Sequence, residues 1–169
     1  MGDRLVIAVL GTRESGKSKT WNAVFDIEEE GIAVRTGAYI RSLYLNAAEW
    51  VDVFLVAGSS EERGIYIGDI LPKELPPIVL CSMQYHEDVK DTIQFFVDTH
   101  YDFLVIWLNP GYHDSGAYND DLQLISRLFK IGAYIVQRSG KGDLRRRSLE
   151  IRQFLYGWAK IRNLIKIEF

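Results

Sequence analysis

Residues 11–18 read Gly-Thr-Arg-Glu-Ser-Gly-Lys-Ser, a loop with glycine at both ends and a lysine and serine closing it. Residues of these types at this spacing can grip a polyphosphate. Phosphate oxygens need many donors at close range, and consecutive backbone N–H groups of a tight loop supply them. Gly11 permits a sharp exit from the preceding segment, and Gly16 permits dihedrals and a close approach that a side chain would block. The N–H groups from Glu14 to Lys19 would ring a β-phosphate and reach toward the α-phosphate. Lys17 would place its ammonium between the β- and γ-phosphates, and the Ser18 hydroxyl would ligate Mg²⁺. The candidate phosphate-binding residues are therefore Gly11, Thr12, Arg13, Glu14, Ser15, Gly16, Lys17, Ser18 and Lys19, with Lys17 catalytic and Ser18 the metal ligand.

Such a loop works only between a strand and a helix. Leu5 to Leu10 is an uninterrupted apolar run that reads as a first strand, and a helix is expected from Lys17 to about Asp26. Beyond it, apolar runs alternate with amphipathic stretches, the pattern of βα units around a parallel sheet. Ile32 to Leu45 is expected to hold one or two strands; Val51–Ala57, Ile78–Met83, Phe103–Leu108 and Ala133–Val136 read as strands, and Gly64–Ile70 as a weaker one. His86–Thr99 reads as a helix with Val89, Ile93, Phe96 and Val97 inward, and Leu122–Lys130 as one with Leu122, Ile125, Leu128 and Phe129 inward. The longest helix, Asp143 to about Lys160, carries a stripe of Leu144, Ile151, Phe154, Leu155 and Trp158. The expected fold is a single α/β domain over 1–169, a three-layer sandwich with a mainly parallel sheet and helices on both faces.

The first strand, loop and first helix resemble those of P-loop nucleoside triphosphatases, whose pattern G-x-x-x-x-G-K-[ST] is matched at every fixed position. The resemblance implies the fold of that superfamily, a bound nucleoside triphosphate with Mg²⁺, and an acid at the end of a neighbouring strand near the metal. Ligands bind at the carboxyl ends of parallel strands, which sets aside Asp52 and Asp102 at the starts of their runs. Asp69, Glu61 and Asp114 remain as candidates on the correct edge for a role near the metal or attacking water. The strand ending at Leu108 closes with neutral Asn109 instead.

Residues 101–111 are similar to the strand-and-loop segment of ATPases that partition plasmids and carry iron–sulfur clusters, but Trp107 stands where that family has its Asp. GTPases are similar at the phosphate loop, with Thr36 near a switch position. Their base-reading segment has no counterpart at Gln137-Arg138-Ser139-Gly140, so ATP is the default nucleotide. Arg13, Arg35 and the arginines of the C-terminal segment are candidates to neutralise γ-phosphate charge.

Composition bounds the setting. The 169 residues are 47% hydrophobic and 25% charged, which excludes a disordered chain. No apolar run approaches a membrane span, and the single Cys81 suits a reducing, cytoplasmic setting. The net charge of −3 hides an asymmetry: residues 138–169 hold nine Lys/Arg against three Asp/Glu, leaving eleven against twenty elsewhere. An acidic body argues against nucleic acid as a partner. The basic segment is a solvated helix face or a surface for a protein partner or a second copy. The leading expectation is a slow Mg²⁺-dependent NTPase acting as a switch for a partner. A regulatory subunit with little hydrolysis, for want of the usual acid, is the alternative, and a small-molecule kinase the second.

Overall fold

A strand buried on both faces has no use for polar residues, and Leu5-Val6-Ile7-Ala8-Val9-Leu10 has none. The computed structural model describes residues 3–26, 40–110 and 118–169. Its elements are β1 (Arg4–Gly11), α1 (Lys17–Val24), β2 (Arg41–Tyr44), β3 (Glu49–Val56), α2 (Ser60–Arg63), α3 (Ile67–Ile70) and β4 (Ile78–Gln84), then α4 (Val89–Asp98), β5 (Tyr101–Leu108), α5 (Leu124–Lys130), β6 (Tyr134–Arg138), α6 (Leu144–Ile161) and β7 (Lys166–Ile167). The strands form one sheet in the order β2-β3-β4-β1-β5-β6, with β7 added against β3. From β3 to β6 every pairing is parallel; β2 and β7 pair with β3 antiparallel. The chain is thus α/β with a mostly parallel, mixed sheet.

Because side chains alternate along a strand, β1 feeds two cores. Leu5, Ile7 and Val9 meet Trp21 and Val24 of α1 and Ile151, Leu155 and Trp158 of α6. Val6, Ala8 and Leu10 meet Ile67 of α3, Val89, Ile93 and Phe96 of α4, and Leu124 and Leu128 of α5. Helices therefore cover both faces. Trp21 is fully buried and satisfies its indole N–H by donating to Ser82 Oγ at 2.8 Å, which ties α1 to β4. Cys81 lies in the second core as a small buried residue.

Two expectations are corrected. Gly64–Ile70 is not a strand but the end of α2, capped by Gly64 at φ 63°, followed by α3. Ser59 Oγ accepts from Glu62 N, which starts a helix, and of the apolar residues that follow, Ile65 and Tyr66 stay exposed while Ile67 is buried. In α5, Leu124 and Leu128 face inward, while Ile125 and Phe129 are 40% and 80% exposed. The Asp120 carboxylate caps that helix by accepting from Leu124 N and Ile125 N, both at 2.9 Å, so α5 starts two residues later than expected. Its buried stripe is consequently set by Leu124 rather than Leu122.

Much of the charge asymmetry is resolved within the chain. Arg138 pairs with Glu150, Arg152 with Asp26, Lys160 with Glu49, Arg162 with Asp102 and Lys166 with Asp52. Among the described residues, no helix is long and apolar enough to cross a membrane.

Candidate functional site

In a parallel sheet, a crevice opens where neighbouring strands send their connections in opposite directions. β1 leads away toward β3 and β5 leads away toward β6, so their carboxyl ends form that place. Residues 12–19 sit there and line a cleft of about 980 Å³. Ala57, Gly58, Ser59 and Glu62 line it from the β3–α2 side, and Asn109, Tyr118, Gly140 and Lys141 from the side of β5 and β6.

The loop is an open nest. Glu14 at φ 61° and Gly16 at φ 106° are left-handed, which turns successive N–H groups toward one side. Ser15 N donates to Thr12 O at 3.3 Å, whereas the N–H groups of Arg13, Glu14, Gly16, Lys17, Ser18 and Lys19 have no acceptor among the described residues. The Gly16 carbonyl accepts from Thr20 N at 3.1 Å and Thr20 Oγ1 at 2.9 Å, along α1. In a planar trans peptide the next N–H points the opposite way, so the Lys17 N–H is directed out of the helix start. That end carries the positive pole of α1.

Both loop glycines are closely packed, and Gly16 also holds a left-handed φ of 106° that side chains rarely adopt. A Cβ on Gly11 would lie 2.2 Å from Ser15 Oγ, and one on Gly16 would lie 3.1 Å from Gly140 O.

Lys17 is 7% exposed, and its ammonium donates to Thr12 O at 2.7 Å and Gly11 O at 3.2 Å. Glu62 Oε1 is 3.6 Å from it. Burial lowers the Lys17 pKa, against the opposing pull of Glu62 and Glu61. Ser18 is exposed at the cleft wall.

The candidate acids fare differently. Glu61, from α2, reaches the end of β4: its Oε1 accepts from Gln84 N at 3.2 Å and its Oε2 from Ser60 Oγ at 2.6 Å. Burial raises its pKa, only partly offset by these hydrogen bonds and by Lys17. β4 itself ends Ser82-Met83-Gln84, so α2 delivers in space the carboxylate that this strand lacks in sequence. Asp69 is exposed in α3 and does not line the cleft. The strand terminus expected for it is absent because the segment is helical. Asp114, Thr36 and Arg35 lie outside the described residues. Asp102 lies at the start of β5, far along the strand from the cleft.

Several site residues carried no strong sequence signal. Nothing in the sequence separates Glu62 from Glu61; its ion pair with Lys17 and its place on the cleft wall mark it out. Asn109, at φ 72° and 4% exposed, accepts from Gly140 N through Oδ1 and donates its own N–H to Arg138 O at 2.7 Å. Gly140 packs so tightly on the loop that a Cβ there would be 1.9 Å from Ser15 O. Tyr118 accepts from Trp107 Nε1 at 2.6 Å and donates to Leu108 O at 3.1 Å; burial pushes its hydroxyl pKa up to about 12.

Behind the loop, Arg147 is 2% exposed, donating from Nε to Thr20 Oγ1 at 3.0 Å and from Nη1 to Ser139 O at 2.9 Å. Burial lowers its pKa as well. It braces the start of α1 and the 139–142 segment against each other. Repeated glycines at 140 and 142 were the one hint that this segment makes a close approach.

No protein-family model matches the chain, and no curated protein matches it either.

Proposed function

We propose that this chain has the fold of a P-loop nucleoside triphosphatase and binds a nucleoside triphosphate, ATP by default, with Mg²⁺. One observation carries the reading: six unpaired backbone N–H groups and a buried ammonium converge at the carboxyl edge of the sheet, at a helix start. The N–H groups of Gly16, Lys17, Ser18 and Lys19 are those a helix start leaves open, and the left-handed turn at Glu14 and Gly16 adds those of Arg13 and Glu14 beside them. The glycine contacts fit a closely packed backbone cradle, and the Lys17 ammonium is held by the Gly11 and Thr12 carbonyls and by the Glu62 carboxylate, the partners a polyphosphate would displace.

In this reading the N–H groups of residues 13–19 take the phosphate oxygens. Lys17 exchanges the Gly11 and Thr12 carbonyls for the terminal phosphates. Ser18 would ligate Mg²⁺, with Glu61, held behind the cleft wall at the end of β4, as the nearest candidate acid for its water shell, and the ion would neutralise charge on the β- and γ-oxygens. Glu61 stays ionised only against its burial, so a cation nearby would favour its charged form. Asn109, Tyr118, Gly140 and Lys141 are the wall left for the nucleoside.

The protein acts as a slow NTPase whose bound state switches contacts with a partner. A regulatory subunit with little hydrolysis is favoured instead by one feature: β4 ends in Gln84 and β5 leads into Asn109, so neither strand end offers an acid.

Lys17→Ala tests the site. Triphosphate binding, followed by calorimetry, is expected to weaken at least tenfold, about 1.4 kcal/mol; unchanged affinity would refute the role of Lys17. Phosphate release with Mg²⁺ that disappears in Lys17→Ala supports the NTPase, and tight binding without turnover supports the regulator. Turnover that needs an added acceptor would mark a kinase.

A further inference from the structure

An anion already stands on the ammonium that the phosphate reading reserves for the nucleotide. Glu62 Oε1 is 3.6 Å from Lys17 Nζ, and Glu62 lines the cleft with its side chain 37% exposed. Its backbone is not free to carry it away. Ser59, 1% exposed, caps α2 by accepting from Glu62 N; buried Ser60 Oγ lies 3.1 Å from Thr92 Oγ1 of α4; and Glu61 is held at Gln84 N. Any retreat of the Glu62 carboxylate from Lys17 is therefore a matter of side-chain torsions alone, and it leaves the carboxylate at the cleft wall.

We propose that Glu62 makes triphosphate binding conditional on a divalent cation. The inference rests on the phosphate-loop reading above and deepens it. A triphosphate entering without a cation must take Lys17 from Glu62 and then lie close to the released carboxylate, which stays at the cleft wall. One ammonium cannot satisfy both sets of oxygens, and repulsion in a cleft with restricted water is screened less than at an open surface. A divalent cation supplies the missing positive charge, and Glu62 then faces a metal-neutralised polyphosphate. A diphosphate presents less charge at the same ammonium, so it is penalised less. Glu62 in this role is a specificity-determining residue: it sets which charge state of the nucleotide the cleft accepts.

The experiment is calorimetric titration of the full chain with ATP and with ADP, at constant ionic strength, in Mg²⁺ and in EDTA. The proteins compared are wild type, Glu62→Gln, and Glu74→Gln, an exposed acid that does not line the cleft. Glu62→Gln is expected to raise the Mg²⁺-free affinity for ATP about tenfold and to shrink the Mg²⁺ dependence by the same factor, with a smaller effect for ADP. Glu74→Gln is expected to match wild type. Equal Mg²⁺-free affinities and equal Mg²⁺ ratios in wild type and Glu62→Gln would overturn the proposal while leaving the phosphate loop standing. Failure of every protein to bind either nucleotide in either condition would overturn the phosphate-loop reading itself, and this inference with it.

Discussion

Gly140→Ala would add one methyl group to a residue that contributes no side chain to the cleft, yet it is expected to damage the loop at 11–18, and with it the nucleotide binding proposed there. The new Cβ would lie 1.9 Å from Ser15 O and 3.0 Å from Asn109 Nδ2, whereas real Cβ contacts do not fall below 3.0 Å. The two segments must separate by the difference, at least 1.1 Å. Neither can yield cheaply. Ser15 O belongs to the loop backbone, while Gly140 is held through its N–H on Asn109 and its neighbour Ser139 through its carbonyl on buried Arg147. Overpacking of this kind costs about 1–3 kcal/mol, or a loss of about 2–12 °C in melting temperature for a domain of this size. The same displacement moves the peptide joining Ser15 to Gly16, and with it one of the open N–H groups. Losing one such hydrogen bond to a charged oxygen costs about 1.5–3 kcal/mol, so the affinity for Mg²⁺·ATP should fall about ten- to a hundredfold. Differential scanning calorimetry and nucleotide titration measure the two effects separately. A variant that melts within about 1 °C of wild type and binds Mg²⁺·ATP equally well would refute both the close approach and the claim that it shapes the nest.

Gly157 lies exposed inside α6, with nothing within 4 Å of a Cβ built on it, so Gly157→Ala should stabilise the protein by about 0.5–1 kcal/mol in a thermal or denaturant melt. Glu61→Gln probes burial at the site through pH. The Glu61 pKa is raised in the folded state, so its contribution is complete below the unfolded value of 4.5 and is lost as pH rises through the folded pKa. The glutamine variant should therefore melt with wild type in acid and increasingly above it as pH rises beyond 4.5. A constant gap at all pH values would contradict the burial of that carboxylate.

The parts of this protein that follow from local residue order are the ones an unaided reading recovers. Leu5 to Leu10 reads as a doubly buried strand and is one, and the glycine and lysine spacing at 11–18 reads as a tight loop before a helix, which is where the structure places it. The helices α4 and α6 follow from their apolar periodicity, and α1 from its place after the glycine loop. The reading failed where one or two residues decide the outcome. At 64–70 a serine cap and a glycine in the left-handed region outweighed β-branched residues, and in α5 the Asp120 carboxylate shifted the frame of the buried stripe.

The second wall of the cleft belongs to the tertiary structure alone. Gly140 meets Ser15, Arg147 meets Thr20, and Gln84 receives Glu61 across sequence gaps that no local pattern spans. The charge asymmetry changed meaning for the same reason. A basic segment that reads as a solvated helix face or a surface for a partner also supplies ion pairs to acids brought beside it by the fold, among them Glu49, Asp52 and Asp102. Sequence order determined which backbone could form an open nest of N–H groups at a helix start, because dihedral freedom and hydrogen-bonding capacity are properties of neighbouring residues. Which charges face that cradle was decided by the order of strands in the sheet, because electrostatic contact depends on distance in space and not along the chain.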